Sequence, residues 1–294
     1  MESCDLFIVG GGAAGLTAAR SAAQQGVTSI LLADRMDGPG GILRQCFHRG
    51  FGQDMTGPEY ITSLMDGFPQ NVRLLWNTTV VSIDENRTAV LSSPHFGLKE
   101  IKFGQMILAS GCREISAGSL DIAGTRPDGV YTAGELQQMM NLRGFVPEGP
   151  AVILGSGDVG LTMAWQLLEA GVEIKMLVEK KDQCGGLVRN WKRLEGYCMP
   201  VRTSSTVTEL FGENQLEGVR ICNRSTGEED IVFCRMLVIA AGLIPEQTLI
   251  RKIGLQPWLQ LCGNGNRIHA VVEGVVQEGK QAGIAACEKL RIEI

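Results

Sequence analysis

Residues 8–35 read IVGGGAAGLTAARSAAQQGVTSILLADR, and residues 153–180 read ILGSGDVGLTMAWQLLEAGVEIKMLVEK. The two stretches align without a gap at an offset of 145 residues, and ten of their 28 positions are identical. Each predicts a buried strand, a glycine turn, a helix closed by Gly26 or Gly171, and a second apolar strand that ends on an acid. The chain therefore carries one βαβ unit twice.

Each unit has the spacing Gly-x-Gly-x-x-Gly between its first strand and its helix. In this spacing the first glycine permits a tight turn, the second lets the backbone approach a pyrophosphate, and the third lets the helix pack on the strand. The dipole and free N–H groups at the helix start then favour the phosphates. Asp34 and Glu179, each 19 residues after the third glycine, can accept ribose hydroxyls, although solvent-facing strand ends would also carry acids. Together the two motifs predict two dinucleotide sites.

After each βαβ unit we predict a meander of alternating strands. The first runs over residues 72–83 and 101–110, and the second over residues 201–210 and 231–240. Turn-forming residues separate the strands, and each meander ends in an apolar strand followed by a glycine. Both halves follow one plan, which predicts an α/β fold with two Rossmann-like, three-layer domains.

The composition limits the possible partners. The 294 residues are 44% hydrophobic, enough for a core in each of two domains, and the net charge of -5 without a basic run argues against nucleic acid. No apolar run approaches the roughly 18 residues of a membrane span. The apolar N-terminal stretch lacks a basic region and is interrupted by glycines, so we interpret it as a strand and turn rather than a signal peptide and expect a cytoplasmic protein.

The nine cysteines are scattered, and no two are spaced as CxxC. This pattern indicates reduced thiols. A zinc or iron–sulfur site needs clustered ligands, and the three histidines are too few and too dispersed to supply them. We therefore expect no metal site.

These motifs resemble the pyridine nucleotide–disulfide oxidoreductase superfamily over nearly the whole chain. GGGAAG at residues 10–15 resembles its FAD motif, and GSGDVG at residues 155–160 resembles its NAD motif. Residues 107–111 resemble its ATG strand end, residues 240–246 its GxxPN segment, and residues 261–283 its C-terminal flavin motif. The resemblance implies an NAD(P)-binding domain, residues 119–242, inserted into an FAD-binding domain formed by residues 1–118 and 243–294. A linker near residues 115–128 would lead from one to the other.

More narrowly, GGILRQCFHRGFG, GCRE, GTRPDGVYTAG and ILGSGDVGL are similar to motifs of the small flavin subunits of amine, opine and proline dehydrogenases or glycerol-3-phosphate-type complexes. That resemblance implies an FAD-dependent oxidoreductase in which a hydride passes between nicotinamide C4 and flavin N5. The substrate of the complex would be an amine, an amino acid or a polyol phosphate. The partner would be a second flavoprotein subunit, with or without a small iron–sulfur protein.

The sequence departs from the superfamily at three places. The second and seventh positions after Gly40-Gly41, where disulfide reductases carry redox cysteines, hold Leu43 and His48. Asn264 replaces the usual aspartate, and the stretch before it is shorter than the usual hairpin. Thioredoxin reductases instead carry CxxC in the nicotinamide domain, and this sequence has no such pair either, so disulfide exchange is excluded as the main chemistry. A stand-alone NAD(P)H-dependent reductase and a nucleotide-binding scaffold without turnover remain as alternatives.

The resemblance also assigns candidate cofactor-binding residues. The FAD candidates are Gly10, Gly12, Ala13, Ala14, Gly15, Asp34, Arg35, Gly41, Ile42, Leu43, Val80, Ala109, Ser110, Gly111, Gly263 and Asn264. The nicotinamide nucleotide candidates are Gly155, Gly157, Asp158, Val159, Gly160, Glu179, Lys180, Ala241 and Gly242. Glu179 should repel a 2′-phosphate, whereas Lys180 and Lys181 should attract one, and we favour NAD over NADP.

Cys46 and His48 are the candidate catalytic residues, at an expected helix start beside the flavin. His48 could relay a proton, because histidine titrates near working pH, or it could be a packing residue. For Cys46 we favour the role of a small buried hydrophobic residue. Arg113, Arg126 and Arg189 could bind phosphate or a partner, and we interpret them as solvated charges.

Overall fold

The computed structural model describes residues 2–292 and forms two compact units. The first unit contains Met1–Arg113 and Pro245–Ile294, and the second contains Glu114–Ile244. The first unit is thus interrupted by the second, as the inserted architecture requires. The sequence predicts boundaries after residues 118 and 242, whereas the structure changes unit after Arg113 and Ile244.

The helices and strands follow one another along both units. The strands are β1 Glu2–Val9, β2 Ile30–Ala33, β3 Val72–Leu75, β4 Thr79–Ile83, β5 Thr88–Ser93, β6 Gly97–Leu108, β7 Cys112–Glu114, β8 Ala123–Gly124, β9 Val130–Thr132, β10 Ala151–Leu154, β11 Ile174–Val178, β12 Val201–Arg202, β13 Ser205–Phe211, β14 Gly218–Asn223, β15 Glu229–Phe233, β16 Met236–Ile239, β17 Leu243–Pro245 and β18 Leu259–Leu261. The helices are α1 Ala13–Gln24, α2 Gly57–Met65, α3 Ala133–Arg143, α4 Asp158–Glu169, α5 Val188–Arg193 and α6 Val272–Ile292.

The first unit is built on a seven-stranded sheet of order β3-β2-β1-β6-β5-β4, with β18 also paired to β6. The long strand β6 serves two purposes: its first half pairs antiparallel with β5, and its second half pairs parallel with β1. On one face of the sheet, α1 and α6 pack closely. A Cβ added at Gly279 would lie 2.4 Å from Ala14 O, and one at Gly283 would lie 2.4 Å from Ala18 O. The two glycines therefore set the distance between the helices.

The second unit has three layers. A parallel sheet of order β12-β11-β10-β16-β9 lies between helices and a four-stranded sheet of order β15-β14-β13-β8. Buried residues of α3 and α4 pack on one face of the parallel sheet, around Leu161 and Leu167, and the meander strands pack on the other, around Val207 and Val219. In this unit the last meander strand, β15, and the parallel strand β16 are separate. In the first unit the single strand β6 serves as both.

Two expectations about the meanders and the linker were wrong. Residues 72–75 and 201–202 form β3 and β12, which pair parallel with β2 and β11 rather than joining the meanders. The chain turns after each at a residue with φ of 50°, Asn77 or Ser204, and only then enters the meander. The segment 115–128 is more than a linker, because β8 lies in it and pairs with β13. No helix within residues 2–292 combines the length and apolarity that crossing a membrane requires.

Candidate dinucleotide sites

The two glycine turns have the same hydrogen bonds. Gly10 N–H donates to Ala33 O at 2.9 Å, and its counterpart Gly155 N–H donates to Val178 O at 2.8 Å. Each turn thus starts from a hydrogen bond to the last residue of the neighbouring strand. The internal repeat of the sequence is a repeat of backbone geometry.

The outer glycines of the first turn are required by the protein itself. Gly10 has φ of 107°, and a Cβ there would lie 2.3 Å from Ala109 O. A Cβ on Gly15 would lie 1.8 Å from Gly10 O. In the second turn Gly155 and Gly160 are equally crowded, with Cβ contacts of 2.3 and 2.0 Å to backbone oxygens.

The middle glycines differ. A Cβ built on Gly12 or on Gly157 meets no atom of the described residues within 4 Å. Gly12 has φ of -77° and ψ of -174°, an extended conformation that any residue adopts. Neither glycine is therefore demanded by packing or by backbone conformation among the described residues. Their open space fits a pyrophosphate that approaches the backbone, which is the use of the middle glycine in this motif.

The helices that follow the turns begin without side-chain caps. Neither Gly12 before α1 nor Gly157 before α4 can supply a capping side chain. The first N–H groups of a helix have no intrahelical acceptor, so these ends suit phosphate oxygens. Ala13 and Ala14 lie buried in the first turn of α1, and Val159 is 43% exposed in that of α4.

The predicted ribose-binding acids are held against the turns. Asp34 Oδ2 accepts a hydrogen bond from Gly11 N–H at 2.5 Å, and its Oδ1 accepts one from Met36 N–H at 2.8 Å. A carboxylate offers about four lone-pair positions, so Asp34 keeps an acceptor on each oxygen for a ribose hydroxyl. The hydrogen bond to Gly11 also fixes the carboxylate next to the phosphate turn.

Glu179 repeats this arrangement with one more donor. Its Oε2 accepts from Ser156 N–H and Ser156 Oγ at 2.9 and 2.6 Å, and its Oε1 accepts from Lys181 N–H at 3.0 Å. Burial alone would raise the pKa of Glu179, but the hydrogen bonds from Ser156 and Lys181 outweigh it, and the pKa is lowered. The acid is therefore ionised, with Oε1 as the oxygen open to a ribose.

The remaining candidates of the second site lie around its turn. Asp158 begins α4, and its Oδ1 accepts hydrogen bonds from Leu187 N–H and Asn190 Nδ2, both at 2.7 Å. Lys180 is exposed next to Glu179. Ala241 and Gly242 follow β16, one strand along from β10, so they stand at the carboxyl edge where this fold binds nucleotides.

The C-terminal motif of the first unit lies against the start of α1. Gly263 has φ of 62°, and a Cβ there would lie 2.7 Å from that of Ala14. Asn264 Oδ1 accepts a hydrogen bond from His269 N–H at 2.9 Å. Its Nδ2 donates to Cys112 Sγ at 3.7 Å. Each amide atom of Asn264 therefore keeps one further hydrogen-bonding position for a ligand, a donor on Nδ2 and an acceptor on Oδ1.

The other candidates of the first site lie at strand ends and in the glycine pair. The carbonyl oxygen of Ala109 lies against Gly10, and Ser110 Oγ donates a hydrogen bond to Glu246 O. Gly111 accepts from Glu246 N–H at 3.0 Å. The others are Val80 on β4, the exposed Arg35, Gly41 with φ of 53°, Ile42 with 62% of its surface exposed, and the buried Leu43.

The expected helix start at Cys46 and His48 was wrong. A 3-10 helix spans Gly41–Gln45, and α2 begins only at Gly57, so both residues lie in the loop between them. Glycines with positive φ at residues 50 and 52 turn this loop, and Gly57 N–H closes it by donating to Cys46 O at 2.7 Å. Burial raises the pKa of the Cys46 thiol to about 12. The His48 ring packs on Phe51, with centroids 5.2 Å apart.

Sequence reasoning missed the residues that hold the acids and the C-terminal motif. Ser156 lies at the variable position between Gly155 and Gly157. Its hydroxyl is the signal in the sequence that could have identified it as a hydrogen-bond donor to Glu179, 23 residues later. Glu278 Oε2 lies 2.8 Å from His269 Nε2, and its Oε1 accepts from Asn266 Nδ2 at 2.6 Å. That contact joins α6 to the loop of Asn264, and no sequence spacing indicates it.

The two glycine turns have the same construction. Each has open space at its middle glycine and a carboxylate fixed beside it. Together they define a protein with two dinucleotide-binding units. The sequence matches the Pyridine nucleotide-disulphide oxidoreductase family over residues 4–260, and the chain belongs to that family. Membership makes it an oxidoreductase and implies binding of FAD and of NAD or NADP.

Two of the known relatives are named as subunits. The chain is 26% identical over 282 residues to hydrogen cyanide synthase subunit HcnB of Pseudomonas protegens, covering 86% of this chain and 60% of the relative. It is 30% identical over 325 residues to an opine oxidase subunit of Agrobacterium tumefaciens, covering 98% of this chain and 63% of the relative. The chain thus spans less than two thirds of the length of either relative.

Among solved structures, the thioredoxin reductase of T. acidophilum has the same fold. The TM-score is 0.79 at 20% sequence identity, with 98% of this chain and 99% of that chain covered. At this identity the likeness concerns the fold alone.

Proposed function

We propose that this chain transfers a hydride between a nicotinamide nucleotide bound by the second unit and FAD bound by the first. The observation that carries the proposal is the pair of glycine turns whose middle glycines, Gly12 and Gly157, have no atom of residues 2–292 within 4 Å of a Cβ built on them. Bound FAD would supply the hydride chemistry, which no side chain can provide. The protein's own task is to bind and orient the two nucleotides.

In the first unit, the backbone around Gly12 and the start of α1 would hold the FAD pyrophosphate. Asp34 would accept the adenosine ribose hydroxyls, and Asn264 would donate its remaining Nδ2 hydrogen to the ribityl chain or the ring. The fixed contacts of these side chains support the roles, because a side chain already oriented by the protein loses little freedom when it binds.

In the second unit, the start of α4 would hold the pyrophosphate of the nicotinamide nucleotide and Glu179 would accept a ribose hydroxyl. We propose NAD rather than NADP, because the buried, ionised carboxylate of Glu179 would repel a 2′-phosphate. Lys180 and Lys181 are the opposing influence, and both are exposed to solvent, where screening weakens them.

We further propose that the chain works as one component of a heteromeric dehydrogenase in the cytoplasm. Relatives of this chain are named as subunits of complexes. The chain also has Leu43 and His48 where a redox disulfide would stand, so electrons need another acceptor or donor. The partner would be a second flavoprotein subunit, with or without a small iron–sulfur protein, and the substrate would be an amine, an amino acid or a polyol phosphate.

A visible spectrum of the purified chain, recorded anaerobically before and after NADH, tests the hydride transfer. A yellow protein that bleaches is the expected result. A yellow protein that no nicotinamide nucleotide bleaches would favour the scaffold without turnover. The bound flavin, identified after denaturation, should be FAD, since FMN lacks the pyrophosphate and adenosine for which these residues are arranged.

Native mass measurement of the protein isolated from its source tests the complex. A heteromer is expected, and co-expression with the partner should raise dehydrogenase activity by orders of magnitude over slow NADH oxidation by the isolated chain. A monomer or homodimer with rapid NAD(P)H-dependent turnover of a small acceptor would contradict the proposed complex and favour a stand-alone reductase.

A further inference from the structure

The internal repeat continues beyond the βαβ units. Residues 37–45 read DGPGGILRQ, and residues 182–190, at the same offset of 145, read DQCGGLVRN. Four of these nine positions are identical, an aspartate, two glycines and an arginine. The first copy is the glycine-pair segment of the FAD half. The second unit therefore contains a glycine-pair segment of its own, for which the two nucleotide motifs do not account.

In the first unit, the glycine-pair segment lies against the middle glycine of the turn. Gly40 N–H donates to Gly11 O at 2.8 Å, and Gly12 and Gly40 form a parallel β-bridge. A Cβ on Gly41 would lie 3.3 Å from Gly12 Cα. The segment thus borders the space that we assign to the FAD pyrophosphate.

In the second unit, the corresponding segment is fastened on both sides of Gly157. Gly185 N–H donates to Ser156 Oγ at 2.9 Å, and Leu187 N–H donates to Asp158 Oδ1 at 2.7 Å. The contact partners are the residues immediately before and after Gly157. The segment therefore borders the open space at Gly157 as its counterpart borders that at Gly12.

The two copies differ in the state of their arginine. Arg44 forms an ion pair with Asp37 in the first unit. Their counterparts are Arg189 and Asp182, and within residues 2–292 neither forms an ion pair or a side-chain hydrogen bond. Arg189 is exposed, and Asp158, the acid that anchors the segment, accepts hydrogen bonds from Leu187 N–H and Asn190 Nδ2.

We propose that the segment Gly185–Asn190 covers the pyrophosphate of the nicotinamide nucleotide, and that Arg189 is its counter-ion. A guanidinium binds phosphate oxygens through two parallel hydrogen bonds, a geometry that the oxygens of a pyrophosphate can accept. The inference rests on the proposed function, because it requires that the second unit bind such a nucleotide. From the sequence alone we interpret Arg189 as a solvated charge, and the proposal assigns it a role in binding the nucleotide.

Calorimetric titration of the FAD-loaded protein with ADP-ribose tests the proposal. ADP-ribose carries the pyrophosphate of NADH without the nicotinamide ring, so it reports binding rather than turnover. We expect Arg189→Leu to weaken binding roughly tenfold, the cost of one charge-assisted contact. Arg189→Lys should recover part of the affinity, because it keeps the charge and loses the paired geometry. Arg251→Leu, which removes an exposed arginine of the first unit, is the matched control and should bind as the wild type does.

The outcomes separate this inference from the function on which it rests. Binding of ADP-ribose by Arg189→Leu within twofold of the wild type would overturn the role of Arg189 and leave the hydride transfer standing. An equal loss in Arg251→Leu would also overturn it, because the effect would then be one of overall charge. A wild-type protein that binds no ADP-ribose would overturn both.

Discussion

Ser156 donates two hydrogen bonds to one carboxylate oxygen of Glu179, from its backbone N–H at 2.9 Å and from its Oγ at 2.6 Å. The corresponding residue of the first turn, Gly11, can donate only one such bond to Asp34. The second site therefore has an acid that is held more firmly and has fewer free acceptor positions. This difference makes the role of Glu179 testable.

We expect Glu179→Ala to weaken NADH binding about tenfold and to leave NADPH binding unchanged or improved. The substitution removes a hydrogen-bond acceptor for the ribose and the charge that repels a 2′-phosphate. Rapid-mixing measurement of flavin reduction at several concentrations of NADH and of NADPH gives the ratio of the two binding affinities. Ser156→Gly is the control: it removes the Oγ contacts with Glu179 and Gly185 and keeps the carboxylate charge. It should weaken NADH and NADPH binding alike, so the ratio of the two stays that of the wild type. A wild-type preference for NADPH would mean that Lys180 and Lys181 dominate the site.

We expect Gly12→Val to give folded, colourless protein. The side chain would occupy the open space meant for the pyrophosphate, while the extended backbone of Gly12 accepts valine without strain. Absorbance near the flavin maximum and circular dichroism measure the two properties. Gly157→Val should keep its flavin and lose NADH binding.

Gly15→Val is the matched structural control in the same turn. Its Cβ would lie 1.8 Å from Gly10 O, so the variant should lose several kcal/mol of stability or fail to fold. A Gly12→Val protein that stays fully yellow would show that Gly12 does not bind the flavin.

The stability of the first unit should fall at acidic pH through Glu278. Burial would raise the pKa of Glu278, but hydrogen bonds from His269 and Asn266 outweigh it, and the pKa is lowered from 4.5. A lowered pKa in the folded state stabilises the protein above pH 4.5, and this contribution is lost as the pH falls through the folded-state value. Glu278→Gln should therefore cost about 1–2 kcal/mol at pH 7 and less at low pH.

Denaturant unfolding between pH 7 and pH 3 measures this contribution. Glu288→Gln lies on the same helix, is exposed, and should leave the pH profile unchanged. A Glu278→Gln profile parallel to that of the wild type would contradict the assignment of the acid-sensitive group.

Cys46 should remain unmodified by iodoacetamide at pH 8 in the native protein. Burial raises the pKa of its thiol to about 12, so almost none is present as the reactive thiolate. Cys198 is exposed and should be modified first. Mass spectrometry of the labelled peptides identifies the sites. Cys46→Ala should also keep the wild-type rate of flavin reduction, and a large loss of that rate would make Cys46 part of the chemistry.

The sequence predicted the parts of the fold that depend on local periodicity. The two βαβ units, the glycine turns and the acids at residues 34 and 179 all follow from spacing along a strand or helix. The parallel pairing of β3 and β12 was missed because an alternating strand has the same pattern in a parallel sheet and in a meander. Only the turn at Asn77 or Ser204, a residue with positive φ, separates the two strands.

Contacts between distant residues were the part that could not be predicted. The hydrogen bond from Ser156 to Glu179 joins the two ends of a βαβ unit, and that from Asn266 to Glu278 joins a loop to α6. The loop around Cys46 was also missed, because the residues before it favour helix and the glycines at positions 50 and 52 act only through their backbone conformation.

The close packing of α1 and α6 determines the order in which the protein can fold during synthesis. Gly279 and Gly283 reach α1 only after the whole second unit, residues 114–244, has been made. When residue 244 has been synthesised, all strands of the second unit are present. The side of α1 that α6 covers is still exposed, because α6 begins only at Val272. A chain that ends at residue 271 therefore contains every residue of the second unit and lacks the helix that covers α1 in the first.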